Sequence, residues 1–125
     1  MNEKNIKNFL YVCPNCLNEL KKCECYCYPD TLIQIDKNIY PIIKELNKRH
    51  YITESCCEGH IGSNEFMYIS FKKKYKFKTP LPNGIDGKES HIKADIKGSS
   101  EQAKKRKKRE LLNKLYKWVC DLEER

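Results

Sequence analysis

Leu32-Ile33-Gln34-Ile35, then Ile39-Tyr40-Pro41-Ile42-Ile43 with Leu46, then Tyr51-Ile52-Thr53 are the pieces of sequence that decide the fold. The first is short, β-rich and nearly all apolar, the composition of a buried strand. In the second, Ile39, Ile42, Ile43 and Leu46 fall on one helical face. Asp36 and Asn38 offer N-caps, and Pro41 sits in the first turn, where its missing N–H costs least. Lys48-Arg49-His50 suits the negative end of the helix. The third piece restores β character and leads into Ser55-Cys56-Cys57-Glu58-Gly59-His60. Strand, helix and strand with a short return read as a β-α-β unit, which predicts two parallel strands. The expected class is α/β, with α+β as the alternative, built on a small mixed sheet.

Downstream, residues 66–77 form the next strand candidate. Met67, Ile69, Phe71, Tyr75 and Phe77 share one parity, and Lys72, Lys74, Lys76 and Lys78 the other. An apolar face opposite a lysine face suits a sheet edge. Thr79-Pro80-Leu81-Pro82-Asn83-Gly84 and Asp86-Gly87 are turn-rich. Residues 91–97 alternate again, with Ile92, Ala94 and Ile96 on one side. Ser99 and Gln102 make a capping box for a last helix. Its apolar stripe is Leu111, Leu115, Trp118 and Leu122, with Leu112 and Val119 beside it.

Upstream lies Cys13-Pro14-Asn15-Cys16 and, six residues on, Cys23-Glu24-Cys25-Tyr26-Cys27. Close-set thiols across a short loop can surround one tetrahedral zinc. Cys13, Cys16, Cys23 and Cys25 are the expected ligands, and Cys27 can replace Cys23 or Cys25. Four protein ligands leave no place for water, so such a zinc is structural. The rival is a redox dithiol at Cys13 and Cys16, but that pattern wants a helix start that Pro14-Asn15-Cys16-Leu17-Asn18 lacks. A staple fits the composition: 39% hydrophobic against 34% charged residues in 125 makes a modest core. The organisation expected is one domain, 1–125, with a zinc knuckle over 11–28, a core over 31–97 and a helix over 99–123.

No run approaches the roughly 20 apolar residues of a membrane span. Met1 to Phe9 has polar residues where a secretory signal would have an apolar run. The expected location is the cytoplasm, where eight cysteines point to metal rather than disulfides.

The net charge is +8. A zinc held by four thiolates would lower it to about +6, still basic enough for an acidic partner. Two clusters carry the excess. Lys72-Lys73-Lys74-Tyr75-Lys76-Phe77-Lys78 interleaves aromatics with charge, as single-stranded nucleic-acid binders do. Lys104, Lys105, Arg106, Lys107, Lys108 and Arg109 put six cations near a helix N-terminus, where the dipole opposes them. Nucleic acid or another polyanion is the expected partner, held mostly through phosphate. A solvated charged face and an acidic protein surface are the alternatives.

Ser55, Cys57, Glu58, Gly59 and His60 form the remaining candidate site, a turn at the end of a strand. Gly59 permits close backbone approach. Cys57 and His60 could act as nucleophile and base, or Cys56, Cys57 and His60 could contribute to a second metal site. Neighbours in a strand point to opposite faces, so Cys56 and Cys57 are not expected on one ion. The bland alternative is a small core cysteine and a turn.

The run Ile35-Asp36-Lys37-Asn38-Ile39-Tyr40-Pro41-Ile42-Ile43, Leu46-Asn47, Tyr51-Ile52-Thr53 and Ser55-Cys56-Cys57-Glu58-Gly59-His60-Ile61 is similar to the opening unit of the wybutosine-synthesis methyltransferases that act on phenylalanine tRNA, over about residues 33–71. Over roughly 11–71 the chain also resembles small Firmicute and phage proteins that join a cysteine knuckle to this unit. The resemblance implies an α/β fold with 55–60 as its functional edge. His60 stands where the methyltransferases have arginine, and their larger C-terminal half has no counterpart. No glycine-rich loop provides for a bulky methyl donor.

The function expected is a zinc-stabilised basic binding protein for nucleic acid or a nucleotide, using Ser55, Cys57, Glu58, Gly59, His60, Lys72, Lys74, Lys76, Lys104, Lys105, Arg106, Lys108 and Arg109. A phage or mobile-element adaptor that docks on a protein is the second reading. An enzyme built on Cys57 and His60 ranks last.

Overall fold

The computed structural model describes residues 9–14, 16–19, 22, 32–88 and 90–123. Of the cysteines expected in a four-thiolate knuckle, Cys13 and Cys16 are among them, and Cys23, Cys25 and Cys27 lie outside the described residues. The described chain is an α+β fold of two antiparallel sheets and two helices.

Strand β1 (Phe9–Val12) pairs with β2 (Ile33–Asp36), from Phe9 opposite Asp36 to Val12 opposite Ile33. Helix α1 (Tyr40–Lys48) leads to β3 (Thr53–Cys57), β4 (Phe66–Phe71), β5 (Asp86–Lys88) and β6 (His91–Asp95). These form the second sheet, in the order β3-β4-β6-β5. Helix α2 (Glu101–Cys120) closes the fold.

The strand-helix-strand succession is present, but β2 and β3 belong to different sheets, and every ladder among the described residues is antiparallel. Each of the two strands takes another partner, β1 for β2 and β4 for β3, so the mixed parallel sheet gives way to the α+β alternative. Strand β4 is central rather than an edge. It stops at Phe71, and the lysines begin beyond it.

Helix α1 is too short to hold alone in water. Its Ile42, Ile43 and Leu46 are buried, each worth about 1.5–3 kcal/mol of transfer free energy. No side chain caps its start. Asp36 and Asn38 are used elsewhere, as shown below. At its end, Tyr51 N–H bonds Leu46 O at 2.9 Å and His50 N–H bonds Asn47 O at 3.0 Å, while His50 adopts φ +69°. This is a Schellman turn with histidine in the left-handed position. The cap of α2 is Ser100, whose Oγ accepts the Ala103 N–H at 3.1 Å, one residue beyond the expected Ser99.

One core joins the buried face of β4 (Met67, Ile69, Phe71) and β6 (Ile92, Ala94) to α1 and to Leu111, Leu115, Trp118 and Val119 of α2. Tyr75 is 3% exposed and packs edge-on against Tyr51 and Phe71. Phe77 meets Trp118 at 5.0 Å. Tyr75 is thus part of the core and the half-buried Phe77 packs against it, while Lys72, Lys74 and Lys76 project outward.

A basic cleft beside a candidate metal centre

Strand β3 carries a one-residue irregularity. Thr53 faces Phe71, yet Ser55 faces Ser70, so the register slips between them. A slip of one residue turns every following side chain to the other face. Cys56 then lies opposite the buried Ile69 and packs on the core, and Cys57 lies opposite Tyr68 on the far side. The expectation that the two thiols part company is met, with Cys56 turned inward.

Burial, first, and the charges of Asp36, Cys57 and Glu58 push the Cys56 thiol up to about 12. The Cys57 thiol is also raised, by burial first. The Gly59 N–H, 3.4 Å from its sulfur, works the other way, and the Asp36 carboxylate adds to the rise. A reactive nucleophile needs the opposite shift, and burial at Cys57 works against it.

Gly59 has φ +87°, and a Cβ there would run into Ile96 Cδ1 and lie 3.1 Å from Phe66 O. Only glycine fits, and it swings His60 back toward β2. His60 Nε2 lies 3.2 Å from Asp36 Oδ2, which also accepts the Glu58 N–H at 3.0 Å. Ligand atoms of Asp36, Cys57 and His60 lie within 4.8 Å of one another. These metal-ligating groups form a possible metal-binding site. Asp36 takes the place that sequence reasoning offered to Cys56. Its position at the end of β2 was the available signal, but nothing in the sequence shows which strand end β3 meets.

Glu58 is 2% exposed. It accepts Asn38 N–H at 2.8 Å and Asn38 Nδ2 at 2.9 Å, and meets Lys108 Nζ at 2.6 Å. This charge-assisted tie holds α2 against the turn. A cleft of about 580 Å³ opens between them, lined by Asn38, Glu58, His60, Ile61, Lys105, Lys108, Arg109 and Leu112. Two sequence-predicted clusters, the 55–60 turn and the 104–109 cations, thus share one cleft. Ser55 and Cys57 are not in its lining, and neither are Lys72, Lys74 and Lys76. Lys76 lines a separate hollow of about 350 Å³ with Tyr75, Phe77 and Lys88.

Four of the six cations of the 104–109 run have carboxylate partners within the fold. Lys104 meets Glu65 at 2.9 Å, Lys105 meets Glu101 at 3.5 Å, Lys107 meets Glu110 at 3.8 Å, and Lys108 meets Glu58. Glu65 is held below the usual carboxylate range by the Gly62 N–H and then by Lys104. Among the described residues, Arg106 and Arg109 alone of the six have no ion-pair partner. No helix of the described residues is long and apolar enough to cross a membrane.

No protein-family model matches the sequence, and comparison with curated proteins and with solved structures returns no match. The reading of the site therefore rests on its own chemistry.

Proposed function

We propose that this is a zinc-stabilised basic binding protein that holds a phosphate-bearing ligand, nucleic acid or a nucleotide, between the 58–61 turn and α2. The observation that supports it is the convergence of His60, Lys105, Lys108 and Arg109 on one cleft with Ile61 and Leu112. Lys108 is neutralised by Glu58, so the charge that meets the ligand comes from Arg109 and from Lys105, whose pair with Glu101 is exposed and weak. The planar guanidinium of Arg109 suits two phosphate oxygens at once. The apolar Ile61 and Leu112 offer a surface for a sugar or base.

The zinc belongs to the N-terminal knuckle. Cys13 is buried, the Cys16 N–H points at its sulfur at 3.5 Å, and Leu17 N–H bonds Cys13 O at 2.9 Å with Leu17 at φ +61°. Such a turn presents an N–H to a thiolate. Cys23 and Cys25 would complete the set. Reduced thiols require a reducing compartment, which favours the cytoplasm.

Binding of a labelled single-stranded oligonucleotide, followed by anisotropy across a salt series, tests the proposal. The affinity should fall linearly with salt on logarithmic axes. Lys105→Ala/Arg109→Ala should weaken binding about tenfold or more and lower the salt slope by about 1.4. An absence of binding at low salt, or a double variant that binds like the parent, contradicts it.

A further inference from the structure

We infer that Asp36, Cys57 and His60 form a second metal centre, separate from the knuckle, which binds one divalent ion of the zinc class and keeps a coordination position open to the basic cleft. The donor set is one thiolate sulfur, one imidazole nitrogen and one carboxylate oxygen. A set containing sulfur and nitrogen selects zinc-class ions over magnesium or calcium. The ligand atoms already lie within 4.8 Å of one another. Tetrahedral zinc, with bonds of about 2.0–2.3 Å, needs them roughly 3.3–3.8 Å apart. Small side-chain movements close that gap.

The donors are held before any ion arrives. Asp36 ends β2 and is fixed by the Glu58 N–H at 3.0 Å. Cys57 ends β3, is turned to this face by the register slip, and accepts the Gly59 N–H at 3.4 Å. His60 follows the glycine that lets the turn fold back. Backbone N–H groups aimed at a carboxylate and a sulfur are the outer support that metal ligands require.

A fourth protein ligand is not at hand among the described residues. Cys56 faces the core, and the Glu58 carboxylate is occupied by Asn38 and Lys108. Neither Cys13 nor Cys16 belongs to the cluster. The His60 side chain is 42% exposed and lines the cleft together with Lys105 and Arg109, while Asp36 and Cys57 lie outside that lining, so the cleft reaches the ion from its His60 side. Three protein ligands and one solvent position is the arrangement of zinc sites that exchange ligands, unlike the closed knuckle. The open position takes water or an oxygen of an anion in the cleft. The centre stands on its own geometry and does not depend on the nucleic-acid reading.

Cobalt(II) titration of the reduced, metal-free full chain tests it, with visible and near-ultraviolet absorption and circular dichroism as readouts. His60→Ala and Cys57→Ser should each bind one ion fewer than the parent while keeping its circular dichroism. The difference spectrum, parent minus His60→Ala, should show the charge-transfer intensity of a single cobalt–thiolate bond. Inorganic phosphate should shift the visible bands of that difference spectrum. An unchanged ion count in both variants overturns the site. A lost ion with the intensity of several thiolates places it in the knuckle and overturns the separation. Visible bands indifferent to phosphate overturn the open position.

Discussion

With 2% of its surface exposed, Glu58 brings a buried negative charge to the end of β3, and the cleft is built around its satisfaction. Asn38 supplies two N–H donors and Lys108 the cation. Removing either charge leaves the other unpaired. A fully buried pair broken this way costs about 3–5 kcal/mol. Lys108 retains 17% side-chain exposure, which lets water take up part of that loss. Glu58→Ala and Lys108→Ala should therefore each lower the free energy of unfolding by about 2–3 kcal/mol in urea titrations. The double variant should show a coupling of about 1–3 kcal/mol. Additive losses would mean that the two residues act independently. At this scale the sequence was partly legible. A glycine-histidine turn after two cysteines announces a site, but the role of Glu58 depends on Lys108, far along the chain, and could not be read locally.

At the scale of elements, what could be read was what is periodic. Ile42, Ile43 and Leu46 of α1 are buried as their spacing predicts, and so are Leu111, Leu115 and Trp118 of α2. The alternation of β6 is legible too, with Ile92 and Ala94 inward. Strand β5 was not, because Asp86-Gly87-Lys88 is exposed throughout and exists only by pairing with β6. The register slip in β3 was equally hidden, since no residue in Thr53-Glu54-Ser55 marks it. Helix starts are decided by one hydroxyl, and adjacent serines make the choice ambiguous. Ser100→Ala should destabilise the protein by about 1 kcal/mol in thermal or urea unfolding, while Ser99→Ala should be near neutral. Equal effects would contradict the observed cap.

For the whole molecule, the difficulty lay in pairing. A β-α-β reading treats β2 and β3 as neighbours in one sheet. The chain instead gives β2 to β1 and β3 to β4, then joins the halves through Asp36, Asn38 and Glu58. That junction is where the metal-ligating groups meet and where α2 docks. The pairing of charges was equally hidden. Six cations on α2 looked like an unanswered positive face, yet Glu58 and Glu65 answer two of them from other elements. Of the two arginines without an ion-pair partner among the described residues, Arg109 lines the cleft and Arg106 does not.

We propose that the 58–61 turn and α2 act as one binding site. Amide chemical-shift mapping on the labelled full chain, titrated with a short single-stranded oligonucleotide, tests it most directly. Joint shifts are expected at Gly59, His60, Ile61, Lys105, Arg109 and Leu112, following one binding curve. Shifts confined to residues 72–78, with the cleft residues unmoved, would contradict it.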